Sequence, residues 1–207
     1  MSPFLWVLLL VPVAYLVGAF PSAWLVARAY GKDVHAAGSG NPGASNVYRL
    51  AGWRAGLVVL LADIGKGAAA SAVGLLIDGH PGAYVLGLAA VVGHVLPVTN
   101  RFRGGRGVAT AGGVLLVLFP LVGVVLALVW FFIARVLRKA SIASIVGASA
   151  FPVGVAIAGG SLLDIAVTAA LALVIIARHV PNLRRLARGE ELGLEGSPPE
   201  STDTVRR

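Results

Sequence analysis

Residues 108–134 read VATAGGVLLVLFPLVGVVLALVWFFIA, an unbroken apolar run with Pro120 near its middle and a basic cluster at each end. Upstream stand Arg101, Arg103 and Arg106, and downstream stand Arg135, Arg138 and Lys139. The reading of this run decides the fold. Cytoplasmic loops of membrane proteins carry an excess of Lys and Arg, so both clusters belong on one side and the chain between them must cross the bilayer an even number of times. A single straight span violates that parity. A hairpin turning at Pro120 satisfies it, because proline breaks a helix by removing an N–H and crowding the preceding turn. Two short, tilted helices suffice if each borrows residues from its basic flank and the bilayer thins locally.

Working outward, a span needs about 20 mostly apolar residues. Residues 4–27, 56–77, 83–99, 142–158 and 162–177 supply five more. The first has no preceding Lys or Arg and no convincing cleavage site, so a retained helix is expected rather than a signal peptide. The remaining basic residues fall at 28–54 and 178–207, with Lys66 alone inside a span. The connections 78–82 and 159–161 carry no basic residue and should face outward. The expected fold is therefore an all-α polytopic transmembrane bundle of seven crossings, with the N-terminus outside and the C-terminus in the cytoplasm.

Composition agrees with this reading. Of 207 residues 57% are apolar and only 13% charged, against about half and a quarter in soluble domains. Mean hydropathy is +0.87 and the formal charge is +8. An ordinary soluble enzyme, a disordered chain and a disulfide scaffold are excluded, the last because there is no cysteine. Residues 1–188 should form one membrane domain, and 189–207, rich in Glu, Pro and Ser, a solvated and disordered tail.

The expected cytoplasmic loops carry the chemistry. The first runs from Gly38 through Ser39, Gly40, Asn41, Gly43 and Asn46 to Arg49, so that glycines let backbone N–H groups approach an anion while hydroxyl, amide and guanidinium groups donate to it. A flexible linker would share much of that composition. The second, Arg103-Gly104-Gly105-Arg106-Gly107, follows His94 and precedes Thr110, placing amides and a guanidinium at an expected helix N-terminus. A lipid-headgroup anchor would need the arginines but not the interleaved glycines. His179 and Asn182 lie at the cytoplasmic end of the last span, on the same face as both loops. Asp63 and Lys66, three apart on one helix face, form an expected intramembrane pair, and Ser141 and Ser144 begin another helix as caps or phosphate donors.

These residues resemble the three motifs of the bacterial acyl-phosphate-dependent glycerol-3-phosphate acyltransferase family. The likeness rests on Ser39-Gly40-Asn41-Pro42-Gly43-Ala44-Ser45-Asn46-Val47 with Arg49, on Gly93-His94 through Arg103-Gly104-Gly105-Arg106-Gly107 to Thr110, and on His179 to Asn182 with Gly189 and Glu191. It extends through Asp63 to Gly67 and Ser141 to Ile145. It implies transfer of a fatty acyl group from acyl phosphate to the 1-hydroxyl of glycerol 3-phosphate, giving lysophosphatidic acid and phosphate in a bacterial cell membrane. Both substrates are small molecules handled beside the bilayer, with no cofactor, metal or nucleic acid implied. The implied catalytic group is His179, Ser39 and Asn182. Phosphate binding would fall to Gly40, Asn41, Gly43, Asn46, Arg49, Lys66, His94, Arg103, Gly104, Gly105, Arg106, Gly107, Thr110 and Ser141. Two departures stand out: arginines replace the family's common lysines at Arg103 and Arg106, and Val180 occupies a position usually held by Arg.

The nucleophile is then the glycerol hydroxyl itself. Its proton goes either to His179 or to the donor's own phosphate, whose second pKa is about 6 for a phosphate ester. A transporter or channel for phosphate-bearing anions is the competing class; against it stands the one-sided placement of the polar motifs. A non-catalytic lipid-binding protein would leave His94 and His179 unexplained.

Overall fold

The computed structural model describes residues 2–194, and every regular element among them is helical. The expected tail beyond residue 194 lies outside the described residues. Helix α1 (Pro3–Gly18) and α2 (Ser22–Ala29) are two pieces of the first span, parted at Ala19–Pro21. The sequence reading has one continuous span here. Proline at 21 disfavours helix in the residue before it, which frees the Phe20 carbonyl for a side chain described below.

Helix α3 (Ala44–Val95) is three limbs, broken at Gly52 (φ 83°) and again at Asp78–Gly79 (φ −143° and 63°). The second break is the expected outward-facing connection. Gly79 allows the left-handed backbone, and the bare Gly74 and Gly82 then let the limbs meet with no room for a methyl group between them. A short 3-10 turn, Val98–Asn100, follows Pro97.

Helix α4 (Val108–Leu118) and α5 (Pro120–Leu137) are joined by the single residue Phe119. A methyl on Gly123 would come within 3.0 Å of the Leu116 Cα. In a straight helix seven residues advance about 10 Å, so this contact shows that the chain folds back at Pro120. Helix α4 is shorter than a bilayer core, which it tolerates because Thr110, Ala111, Gly113, Val114, Leu115 and Leu118 are buried among its neighbours rather than in lipid. Helices α6 (Ala140–Ile157) and α7 (Leu162–Arg178) complete the bundle, and α8 (Val180–Ala187) turns away from α7 by 53°.

The crossing segments are thus α1 with α2, the second and third limbs of α3, and α4 to α7, consistent with the seven inferred from charge parity. Helices pack closely in place of a water-driven core: Gly67 meets the Thr110 carbonyl, Gly113 the Ile64 carbonyl, and Gly18 and Gly93 the facing backbones of α3 and α1. Small residues that let backbones approach are how membrane helices associate when lipid removes the hydrophobic drive. Helix α5 presents Leu128 and Phe132, 66% and 69% exposed, to the lipid.

Candidate active site

The break at Gly52 turns the first limb of α3 away from the span below it, and this limb carries Asn46 and Arg49. Asn46 is buried. Its Oδ1 accepts the Ser39 N–H (2.9 Å) while Nδ2 donates to the carbonyls of Val34 (3.0 Å) and Ala37 (3.1 Å). Both amide hydrogens are therefore spent on folding the 34–39 loop. Ser39, whose position this sets, has a buried hydroxyl with no partner among the described residues. Gly40 makes the next turn, beside the His35 carbonyl.

The second loop folds onto His94. The Gly105 N–H donates to the His94 carbonyl (3.0 Å), and a side chain at Gly104 or Gly105 would collide with that carbonyl or with the imidazole. Arg178 holds the loop from outside through Nη2 to the Gly104 carbonyl (3.0 Å) and Nε to the Gly105 carbonyl (3.3 Å). Arg106 follows, half-buried, with no hydrogen bond or ion pair among the described residues. Burial pushes its pKa down to about 10, Glu191 opposing and Arg185, Arg49 and Arg178 adding to the fall. It remains a cation at neutral pH.

His179 ends α7 and is 1% exposed. Its Nδ1 lies 2.8 Å from the Ile175 carbonyl. A carbonyl only accepts, so Nδ1 carries the hydrogen and, in the neutral ring, Nε2 is left as an acceptor. Burial pushes the pKa down to about 4; the Ile175 bond opposes this and the Arg106 charge reinforces it.

Asn182 is also buried, but its Nδ2 donates to Glu191 Oε1 and its Oδ1 has no partner among the described residues. Arg185 Nε donates to the other Glu191 oxygen (2.8 Å). Burial opposes ionisation of Glu191, yet Asn182, the nearby Ser141 hydroxyl and Arg185 together hold its carboxyl below the usual carboxylate range.

This tether brings residues 191–194 against the bundle, while Gly189 and Glu190 stay exposed. Arg49 Nε and Nη2 donate to the carbonyls of Gly193 and Leu192, and the Leu194 N–H donates to the Arg138 carbonyl (2.7 Å). Contacts to the helical bundle thus reach as far as Leu194 among the described residues.

Deeper in the bundle, Asp63 and Lys66 pair at 2.7 Å as their spacing implies. Ser22 donates to Asp63 (2.6 Å), and Lys66 also donates to the freed Phe20 carbonyl (2.9 Å) and to Ser22 (3.2 Å). Its three ammonium hydrogens are thus all engaged, and the cluster ties α2 to α3.

These elements enclose a cleft of about 520 Å³. Ser39, Asn41, Gly43, Arg49, His94, Arg106 and His179 meet at its polar end, while α3, α4, α5 and α6 line the rest with apolar side chains. Several expected binding residues lie elsewhere. Thr110 packs against Gly67, its hydroxyl unpartnered among the described residues, because 109 and 112, not 110, fall on the cleft face of α4. Lys66, Arg103, Gly104 and Gly105 border a separate cavity of about 340 Å³, and His94 lines both it and the cleft. Gly107 starts α4, and Ser141, Asn182 and Gly40 do not line the cleft. Glu191 was visible in the sequence as a motif residue, but nothing in its spacing signalled that it fastens the chain end to Asn182 and Arg185.

A polytopic bundle whose buried cations and glycine loops open onto an apolar trough is the architecture of a membrane protein acting on phosphate-bearing amphiphiles. The family model described as "Glycerol-3-phosphate acyltransferase" matches residues 8–189. Proteins named glycerol-3-phosphate acyltransferase in Bacillus cytotoxicus and Geobacter sulfurreducens are 41% and 42% identical over 186 residues; the match covers 88% and 89% of this chain and 92% and 95% of theirs. A crystal structure of PlsY (YgiH), an integral membrane glycerol 3-phosphate acyltransferase in its glycerol 3-phosphate form, superposes with a TM-score of 0.86 at 35% identity, covering 90% of this chain and 94% of that one. The chain belongs to the glycerol-3-phosphate acyltransferase family. It is a membrane acyltransferase of phospholipid biosynthesis, and the transporter reading is not favoured.

Proposed function

We propose that the protein transfers a fatty acyl group from acyl phosphate to the 1-hydroxyl of glycerol 3-phosphate, at a site on the cytoplasmic face. The observation that carries this is the polar end of the cleft. There, among the described residues, the Arg106 guanidinium has no hydrogen-bond or ion-pair partner and the Ser39 hydroxyl is unpartnered, and the adjoining trough is apolar. Such a cleft suits a phosphate head joined to a hydrocarbon tail. A solved PlsY relative at 35% identity is described as the lysophosphatidic acid form, which fits a product of that kind.

In this reading Arg49 and Arg106 hold the substrate phosphates, with Asn41 and the glycine loop beside Ser39 supplying further donors. The hydroxyl oxygen attacks the acyl carbonyl carbon, and the bond from that carbon to the phosphate oxygen breaks. Ser39 donates to the developing oxyanion. His179 Nε2 accepts a hydrogen bond from the hydroxyl and aims it. The proton passes to the leaving phosphate, because a base near pKa 4 is weaker than a phosphate near pKa 6. Asn182 acts through Glu191 instead of touching substrate.

Purified protein offered glycerol 3-phosphate with acyl phosphate, acyl-CoA or acyl-carrier protein tests the donor. Lysophosphatidic acid should form from acyl phosphate alone. Equal rates from the thioesters would overturn the donor assignment.

A further inference from the structure

The apolar part of the cleft has a measurable length. Its lining follows Arg106 and then α4 from Val108 to Leu116, α5 from Arg135 to Gly123, and α6 from Ala140 to Phe151. At 1.5 Å per residue the helical paths run about 12, 18 and 16 Å, and Arg106 stands just before the start of α4, so the trough is about 15 Å deep. The trough stops where Leu116 packs on Gly123 beside the Pro120 turn. Part-way down, Gly112 faces open space, with nothing within 4 Å of where a Cβ would sit. It stands about 9 Å beyond Arg106.

Resting on the acyl-transfer reading above, we propose that the cleft is a ruler for the acyl chain, with Leu116 as its end stop and the bare Gly112 as the opening that lets longer chains reach it. An extended alkyl chain advances about 1.3 Å per carbon, from bonds near 1.5 Å. With the acyl carbonyl beside Arg106, Gly112 meets the chain near carbon seven and Leu116 near carbon twelve. Lipid tails are as apolar as the trough, so a longer chain gains little by leaving the bilayer. Length is therefore read by steric fit.

The test uses full-length protein with acyl phosphates of six to eighteen carbons, measuring kcat/KM for each. Gly112→Leu adds bulk where the helix has room for it. It should leave the six-carbon donor within about threefold of the unsubstituted protein while lowering the twelve-carbon donor at least about tenfold, the scale at which pockets discriminate added methylenes. Leu116→Trp should spare donors up to about ten carbons and penalise longer ones, and Leu116→Ala should favour them. KM for glycerol 3-phosphate should not move.

A Gly112→Leu protein with an unchanged length profile, or with equal loss for every donor, would overturn the ruler. If the unsubstituted protein used no acyl phosphate of any length, the acyl-transfer reading itself would fall.

Discussion

Arg106 is the side chain whose surroundings demand a ligand most plainly: a half-buried cation, three further arginines within electrostatic reach, and Glu191 as the nearest opposing charge. Arg106→Ala should lower kcat/KM by about 10- to 150-fold, the equivalent of about 1.5–3 kcal/mol for one charge-assisted contact. Its thermal unfolding should be unchanged, since the guanidinium makes no hydrogen bond or ion pair among the described residues, and Arg106→Lys should recover much of the rate if charge alone matters. Full activity of Arg106→Ala at subsaturating substrate would remove it from the site. His179 yields a pH prediction. With its pKa near 4 the ring is neutral from pH 5 upward, and it gains charge only as pH falls through that value. If the leaving phosphate takes the proton, an acidic limb near pH 6 belongs to that phosphate and should persist in His179→Asn, which keeps a hydrogen-bonding side chain. A near-inactive His179→Asn with intact substrate binding would make His179 the base. Residue types at the site were legible in the sequence, but several orientations were not. Thr110 lies about 100° around α4 from the cleft position Ala109, and helical phase is not set by a motif. Asn182 is drawn to Glu191, whose distance from it depends on how the chain returns after α8.

Among the elements, the α4–α5 hairpin was readable because two basic clusters impose a parity that only a turn at Pro120 satisfies. The parting of α1 from α2 was not, since the apolar run continues across Pro21 without a change in composition. Its consequence is specific: the Phe20 carbonyl becomes an acceptor for Lys66. The 34–39 loop depends on Asn46 in the same concrete way. Asn46→Ala leaves the buried Val34 carbonyl and the Ser39 N–H without the partner Asn46 supplies, so it should destabilise the protein by at least about 2 kcal/mol and lower activity through misplacement of Ser39. Thermal unfolding and activity should fall together, in contrast to Arg106→Ala, and an Asn46→Ala protein of unchanged stability would refute this structural role. Orientation can be checked on the cysteine-free chain. Arg138→Cys in sealed membranes should react with an impermeant thiol reagent only from the cytoplasmic side. Labelling from outside would reverse the proposed topology.

Across the whole molecule, one end of the bundle gathers the cations and glycine loops while the trough beside them runs into the apolar interior. Glycerol 3-phosphate can approach from water, and an acyl chain can enter from lipid. In the proposed reaction these two arrivals end in direct attack on the acyl carbonyl. The most direct measurement is single-turnover reaction of acyl phosphate carrying 18O in the bridge between carbonyl carbon and phosphorus, with excess glycerol 3-phosphate. The account predicts one lysophosphatidic acid per inorganic phosphate, all bridge label in that phosphate, and none released before glycerol 3-phosphate is added. Label retained on the acyl product, or a burst of phosphate without the acceptor, would contradict it.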